Sequence, residues 1–238
     1  MSSIEELNIK IFADGADLSS IIKANEKPFV KGFTTNPSLM RIAGVESYEG
    51  FAKTVLSKIP DKPVSFEVFA DDEEEILKQA RKIYSWGSNV FVKIPITNTK
   101  GNSMCDVLKQ LSSERIPLNV TAMMTSKQVS DVIDATVGDS SLICSVFAGR
   151  IADTGVDPIL CMKECLSIMK PNPNAELLWA SPRELINIYQ ADEIGCHIIT
   201  IGNSILEKFH LIGKDLYEYS LETVSTFFDD AKDSGYKI

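Results

Sequence analysis

The segment that decides the fold is Asn89-Val90-Phe91-Val92-Lys93-Ile94-Pro95-Ile96, an apolar run that predicts a buried strand with a single charge, Lys93. A buried ammonium costs on the order of several kcal/mol unless it is paired or deprotonated. A desolvated lysine is also a nucleophile that can attack a carbonyl to form a Schiff base. The alternative is that the Lys93 stem crosses the strand end and its head reaches solvent. The rest of the chain favours the first interpretation.

Apolar runs of this kind recur along the chain and alternate with helical patterns. We predict strands at residues 9–13, 29–34, 64–70, 90–96, 116–122, 142–147, 175–180 and 197–201. Helices are predicted at residues 17–23, 47–58, 72–86, 103–111, 126–136, 158–169, 182–191 and 204–210, with a final one at 216–231. Eight βα units favour an α/β fold, a single (β/α)8 TIM barrel with an additional C-terminal helix. An open doubly wound parallel sheet is the alternative, although no dinucleotide or P-loop glycine motif supports it.

Composition narrows the classes of function. The chain has 238 residues, 44% of them hydrophobic, and no linker-like stretch, so we expect one domain over residues 1–238. No signal-peptide pattern or long apolar segment occurs, which predicts a soluble cytoplasmic protein. A net charge of -9 argues against nucleic acid or a membrane as partner. An anionic substrate would therefore need local cations.

The cysteines favour neither disulfides nor a metal site. Five cysteines at irregular spacing, one of them Cys144 in an apolar strand, indicate reduced packing residues. Cys161 and Cys165 lie one helical turn apart, which is a possible metal pair. With only two histidines in the chain and no C-x-x-C motif, we expect no zinc site there.

Polar residues cluster near the predicted carboxyl ends of the strands, where (β/α)8 barrels place catalytic groups. Taken alone, each has a structural explanation: Asp14 as a helix cap, residues 36–38 as a turn, and Thr121 as a strand former bonded to backbone. Seven of the eight predicted strands carry such a group, which favours a shared site. The residues are Asp14, Thr34, Thr35, Asn36, Glu67, Lys93, Asn119, Thr121, Ser145, Arg150 and Ser181.

Five ordered motifs resemble the transaldolase family, including its short branch similar to fructose-6-phosphate aldolases. They are TTNPS at residues 34–38, VKIP at 92–95, NVT at 119–121, GRI at 149–151 with Asp153, and AS at 180–181. The resemblance runs nearly end to end. It implies a (β/α)8 barrel that acts on small sugar phosphates in the pentose phosphate pathway of carbohydrate metabolism. It also implies that no metal or organic cofactor is needed.

The resemblance also implies a role for each site residue. Lys93 would be the Schiff-base residue that attacks the ketone of a phosphorylated ketose. Asp14 resembles the general acid/base, and Glu67 and Thr121 resemble the pair that holds a proton-relaying water. The implied substrate-binding residues are Asn36 and Asn119, for hydroxyls of a dihydroxyacetone unit, and Arg150, Ser181 and Arg183, for the phosphate.

The predicted position of Ser181 at the start of a helix supports a phosphate site there. We expect Ser181 to open the helix predicted from residue 182, whose positive end would favour a phosphate. The structural alternatives are a surface arginine for Arg150 and a plain helix cap for Ser181. Ser145 is expected to line the mouth or to pack, and the two histidines are expected to be structural.

Two positions indicate which reaction the resemblance implies. Members that act as simple aldolases, releasing free dihydroxyacetone, tend to carry glutamine where this chain has Glu67 and tyrosine where it has Phe147. The residues here favour a transaldolase, which passes the unit from fructose 6-phosphate or sedoheptulose 7-phosphate to an aldose phosphate. The alternatives are a fructose-6-phosphate aldolase-type lyase and a sugar-phosphate binding protein without turnover.

The predicted C-terminal helix suggests self-association. It places Leu216, Tyr219, Val224, Phe227 and Phe228 on overlapping faces, more apolar area than a lone surface helix needs. The helix could pack on its own barrel or on a neighbour's. The short branch of the family commonly forms pentamers and decamers through such a helix, so the resemblance favours a homo-oligomer.

Overall fold

The chain folds as a closed barrel of parallel strands. The structure is a computed structural model that describes residues 3–237, and within them eight strands pair in chain order, with β8 closing onto β1. The predicted TIM barrel is therefore confirmed. The strands are β1 (Lys10–Asp14), β2 (Val30–Thr34), β3 (Val64–Glu67), β4 (Val90–Pro95), β5 (Leu118–Met123), β6 (Leu142–Val146), β7 (Ala175–Trp179) and β8 (Ile198–Gly202).

Helices follow every strand, and several begin at a residue whose side chain accepts hydrogen bonds from first-turn amides, such as Asp17, Ser47 and Asp72. None of those in residues 3–237 is long and apolar enough to span a bilayer. The α-helices of this part are α1 (Leu18–Asn25), α2 (Pro37–Ile42), α3 (Tyr48–Lys58), α4 (Glu73–Tyr84), α5 (Cys105–Ser113), α6 (Ser126–Ala135), α7 (Ala148–Asp153), α8 (Pro158–Met169), α9 (Ile186–Glu193), α10 (Asn203–Leu206) and α11 (Leu216–Ser234). Short 3-10 helices lie at Ile4–Glu6 and Glu207–Leu211.

Two apolar cores hold the barrel together, because side chains alternate between the two faces of each strand. The larger core lies between the strands and the helices. The smaller includes Phe12, Ile143, Leu178 and Ile198, each at most 2% exposed, and it fills the barrel interior. The Phe12 ring crosses Gly32, where an added Cβ would lie 2.5 Å from a ring carbon. Each of these four residues comes two or three positions before a polar residue, so the inner core forms the floor beneath the polar mouth.

The short helices α2 and α7 differ from the sequence prediction. Helix α2 begins at Pro37, with the Asn36 side chain accepting a hydrogen bond from the Leu39 amide, where the pattern indicated a turn. Each of these helices has six residues, too few to display a helical period of hydrophobicity. Proline in the first turn of α2 nevertheless suits a helix start, because its missing N–H would have no partner there.

Helix α9 begins later than predicted. It starts at Ile186 rather than at residue 182, because the Asn187 side chain accepts hydrogen bonds from the amides of Arg183 and Glu184 and holds that segment in a turn. Ser181 therefore does not open a helix. The predicted contribution of a helix end to phosphate binding at Ser181 is wrong, and so is its alternative explanation as a helix cap.

Helix α11 has no buried side chain. At about 100° per residue, its residues Tyr217, Leu221, Val224 and Phe228 share one face, and they are 46–70% exposed. Tyr219 lies on the other side, where its ring is 4.6 Å from the Lys214 ammonium. The predicted helix is confirmed. Of the residues that the prediction grouped, Val224 and Phe228 lie on this face, Leu216 and Phe227 lie about a quarter turn to one side of it, and Tyr219 lies opposite.

Candidate active site

A cavity of about 500 Å³ opens at the carboxyl-terminal mouth of the barrel. Every strand, or the residue directly after it, contributes to its wall. Seven of the nine predicted site residues line it, while Asn119 and Arg183 do not. Its polar or charged lining residues are Asp14, Thr34, Asn36, Ser38, Glu67, Lys93, Thr121, Ser145, Arg150, Ser181 and Thr200.

Lys93 lies inside the barrel and is only 7% exposed, so its charged head does not reach bulk solvent. Strand β4 pairs with β3 in a register that sets Lys93 beside Glu67. The Lys93 Nζ is 3.0 Å from the Glu67 Oε2 and donates a 3.1 Å hydrogen bond to the carbonyl of Thr35. The charge in the apolar run is thus paired rather than exposed, and its amine faces a cavity large enough for a small substrate.

Asp14 ends β1 and faces the same cavity. Its Oδ1 accepts a 2.8 Å hydrogen bond from the Thr34 hydroxyl. Burial raises the pKa of the Asp14 carboxyl above its ordinary value, while the Lys93 ammonium and the Thr34 hydroxyl partly oppose that rise. Such a carboxyl exchanges protons closer to neutral pH than an ordinary aspartate does, which suits an acid/base group.

Thr121 contributes a hydroxyl that is free to bind a ligand or water. Its Oγ1 is buried and has no hydrogen-bond partner among the described residues, although Thr121 lines the cavity. The register between β5 and β6 shifts just beyond it, and Ala122 has a φ of 63°, in the left-handed region. The pairing resumes in a shifted register at Met123 and Val146, and the bulged residue Ala122 lines the cavity.

Asn119 lies in the barrel interior and is fully buried. Its Nδ2 donates to the Ser65 hydroxyl at 2.9 Å, and its Oδ1 accepts from the Ser145 hydroxyl at 2.7 Å. Strand pairing places it beside Lys93. In this geometry Asn119 orients Ser145, which does line the cavity, whereas Asn36 lines the cavity directly.

The three residues predicted to bind phosphate separate into two groups. Arg150 and Ser181 line the cavity, and the Arg150 guanidinium lies 5.1 Å from the centre of the Phe147 ring. Arg183 instead forms a bidentate ion pair with Asp153, one bond of which is 3.0 Å long. The ion pair lowers the pKa of Asp153. The Arg183 guanidinium, which the sequence analysis assigned to the phosphate, is therefore bound to a carboxylate instead.

The loop that carries Ser181 rests directly on helix α7. Ser181 has a φ of 60°, and an added Cβ at Gly149 would overlap the Ser181 carbonyl oxygen. Only glycine at position 149 permits this approach of the two backbones. The contact fixes Ser181 next to Arg150, the following residue of α7.

Two residues near the site were missed by the sequence reasoning. Thr200 of β8 lines the cavity, and its hydroxyl lies 2.5 Å from that of Thr34. Tyr48 is outside the cavity and donates a 2.8 Å hydrogen bond to the Glu67 carbonyl, which anchors the end of β3. Thr200 could have been found by the signal that marked Lys93, since it is the one polar residue in an otherwise apolar strand core.

Known proteins are similar to this chain over most of its length. The family model described as Transaldolase/Fructose-6-phosphate aldolase matches residues 11–238. A protein named probable transaldolase from Thermoanaerobacter sp. is 31% identical, over 97% of this chain and 100% of its own. Others so named, from Dehalococcoides mccartyi and Nitrosopumilus maritimus, are 32% and 34% identical over 83% and 84% of this chain and 88% and 86% of theirs. A solved mandelate oxidase variant with a monooxide FMN adduct shares only the fold, with a TM-score of 0.56 and 14% identity over 90% of this chain and 70% of its own.

Proposed function

The chain belongs to the transaldolase/fructose-6-phosphate aldolase family, and we propose that it is a Schiff-base transaldolase. It would move a dihydroxyacetone unit from fructose 6-phosphate or sedoheptulose 7-phosphate to an aldose phosphate. The observation that carries this proposal is the buried Lys93 Nζ, which is paired with Glu67 inside the mouth cavity.

Covalent catalysis begins at Lys93. Attack on the ketone needs the neutral amine, and the Glu67 carboxylate, 3.0 Å away, is within reach to take the ammonium proton. Loss of water from the adduct gives an iminium, which draws electrons from the neighbouring carbon–carbon bond. When that bond breaks, its electron pair forms a three-carbon enamine that stays bound to Lys93.

Bond cleavage also needs a base for the hydroxyl of the departing aldehyde. Asp14 faces the cavity, and its carboxylate would take that proton and return it when an acceptor aldehyde is attacked. The Thr121 hydroxyl, which has no hydrogen-bond partner within residues 3–237, would hold a water that carries protons between Glu67 and the Lys93 nitrogen. Positioning of this kind can supply several kcal/mol of barrier reduction, on the order of 7–11 at best.

The phosphate would bind Arg150 and Ser181, which line the cavity. A guanidinium matches phosphate oxygens in fork geometry, and the ring of Phe147 beneath it limits how far Arg150 can move. Arg183, which is ion-paired with Asp153, would contact the phosphate only after leaving that ion pair and moving into the cavity. The net charge of -9 makes these local cations the means of holding an anionic sugar.

Borohydride trapping tests this function directly. The protein is incubated with fructose 6-phosphate, reduced, and analysed by intact mass and peptide mapping. We expect a three-carbon adduct on Lys93, because reduction fixes the imine after cleavage. No adduct with either ketose phosphate would overturn the enzymatic proposal and favour a binding protein.

The choice between transfer and release depends on Glu67 and Phe147. In the Glu67→Gln, Phe147→Tyr variant we expect the ratio of free dihydroxyacetone to transferred unit to rise about tenfold or more, because a phenol beside the enamine can deliver a proton that Phe147 cannot. The ratio is measured from fructose 6-phosphate with and without an acceptor aldose phosphate. An unchanged ratio would contradict the role given to these two residues, and release by the wild type without acceptor would identify an aldolase.

We also propose that a second copy of the chain covers helix α11. The helix leaves Val224 and Phe228 on its apolar face, and Leu216 and Phe227 beside it, each at least 61% exposed. A large exposed apolar surface on a protein commonly marks an interaction site. Barrel residues Val156 and Leu160 are also exposed, at 57% and 70%, which offers an apolar surface on each copy for the helix of another. In this proposal, α11 of one copy would pack against these residues of another.

Light scattering coupled to gel filtration tests the assembly. We expect the wild type to be an oligomer and Val224→Asp to weaken association at least thirty-fold, on the order of 2 kcal/mol, because the substitution places a charge in the interface. Thr226→Asp, on the opposite face of α11, is the matched control and should stay oligomeric. A monomeric wild type would refute the proposal.

A further inference from the structure

A chain of three side chains links strand β8 to the candidate acid/base group. Strands β2 and β8 flank β1 on either side, and each directs a threonine into the barrel mouth in front of it. The hydroxyls of Thr34 and Thr200 lie 2.5 Å apart, and the Thr34 hydroxyl reaches the Asp14 Oδ1 at 2.8 Å. Both threonines are buried, Thr200 at 7% exposure.

Proton counting fixes the direction of these bonds. A threonine hydroxyl carries one proton, and when Asp14 is ionised the proton of Thr34 is donated to its Oδ1. The Thr34 oxygen can then only accept from Thr200, so the Thr200 hydroxyl is the donor of the second bond. The order is Thr200 to Thr34 to Asp14, and each bond polarises the next.

We propose that Thr200 is a positioning residue for Asp14, acting through Thr34 to hold the carboxylate ionised and oriented for proton transfer. With the Thr34 proton committed to Oδ1, the proton that Asp14 takes from substrate goes to Oδ2. The inference rests on the proposed function, because it assigns Asp14 a proton to exchange.

The hydrogen bonds from Thr200 to Thr34 and from Thr34 to Asp14 also explain how the buried Asp14 carboxyl remains a usable base. Desolvation disfavours the ionised form of Asp14, and Glu67 on β3 adds repulsion, while Lys93 on β4 and the hydroxyl chain favour ionisation. Removing the Thr200 hydroxyl leaves both charged neighbours in place. It weakens only the hydrogen-bonded support, and the pKa of Asp14 should rise.

The test is the pH profile of kcat/KM for cleavage of fructose 6-phosphate by Thr200→Val, which keeps the shape of the side chain and removes the hydroxyl. We expect kcat/KM near neutral pH to fall about five- to tenfold. The acid limb should move to higher pH by about half to one unit, because ionised Asp14 is the required form. Thr200→Ser should restore both, and Thr136→Val, a threonine at the far end of α6, should change neither.

Trapping separates this inference from the proposed function. Thr200→Val should still give the Lys93 adduct with borohydride, because its amine and Glu67 are intact. A wild type that forms the adduct, with a Thr200→Val profile that does not move, overturns the role of Thr200 alone. A fall in kcat/KM that Thr200→Ser does not rescue would also overturn it, since loss of packing would then explain the defect. A wild type that forms no adduct overturns both.

Discussion

Replacing Lys93 by methionine is expected to abolish both the borohydride-trapped adduct and turnover, with kcat/KM lowered at least about 10⁴-fold. Methionine keeps an unbranched stem in the barrel but has no nitrogen, so no imine can form. The measurement is intact mass after trapping, together with the rate of aldehyde release from fructose 6-phosphate. Turnover that survives in this variant would remove the covalent step from the proposal.

Two further variants separate the loss of the Lys93 amine from a general loss of stability. Lys93→Met leaves the Glu67 carboxylate without its partner in a site where its side chain is 15% exposed, so the variant can lose stability. Lys93→Met combined with Glu67→Gln removes that uncompensated charge and should melt closer to the wild type while remaining inactive. The matched control is Lys10→Met, another strand lysine paired with a carboxylate, Glu176, but at the start of β1. It should form the adduct normally.

Asp14→Asn is expected to separate imine formation from bond cleavage. The amide keeps the shape of the side chain and can still accept the Thr34 hydrogen bond, but it cannot take a proton. Cleavage should slow about 10²–10⁴-fold, while Lys93 still reacts with the ketone. Trapping should therefore yield mainly an adduct of the full-length sugar in place of the three-carbon one.

The charges around Asp14 explain why its loss should be so costly. The Lys93 ammonium lowers the pKa of Asp14, and an iminium at the same nitrogen carries the same charge. In the proposed mechanism, the iminium would become a neutral enamine when the carbon–carbon bond breaks, and that influence would disappear. Asp14 thus becomes more basic as it receives the proton, which favours cleavage over immediate reversal.

The pH profile provides a second measurement on Asp14. The proposed cleavage step would need the ionised carboxylate, and burial raises the pKa of Asp14. Activity should therefore decline with falling pH sooner than it would with an ordinary aspartate. Asp14→Asn should lose that acid limb. Asp17→Asn, which removes an exposed charge a few residues away and keeps a good helix cap, should retain it. A three-carbon adduct formed at the wild-type rate by Asp14→Asn would rule out the assigned role.

The barrel could be predicted because its strands are apolar on both faces, as in β6, where all five residues are buried. Strand ends were harder to place. Strand β3 ends at Glu67 although the apolar run continues to residue 70, because the amides of Phe69 and Ala70 donate to the Gln79 side chain and not to a neighbouring strand. Such a partner, about ten residues away, leaves no pattern in the sequence.

The site was predictable where the sequence broke a local rule. A lysine in a buried strand has few explanations, so Lys93 is conspicuous in the sequence. Thr200 gives the same signal more weakly, because threonine is common in strands. The ion pair of Arg183 with Asp153 joins residues 30 positions apart. It forms where the segment after β7 meets the end of helix α7, and no spacing of residues in the sequence indicates that contact.

The contact between Gly149 and Ser181 limits how new specificities could be engineered into this barrel. The loops after β6 and β7 are fitted to each other backbone to backbone, so a loop taken from a relative brings a surface shaped for a different partner. A chimaera that exchanged only one of them would tend to push a side chain into the opposing main chain. Recombination should therefore treat residues 147–155 and 180–187 as one inherited block.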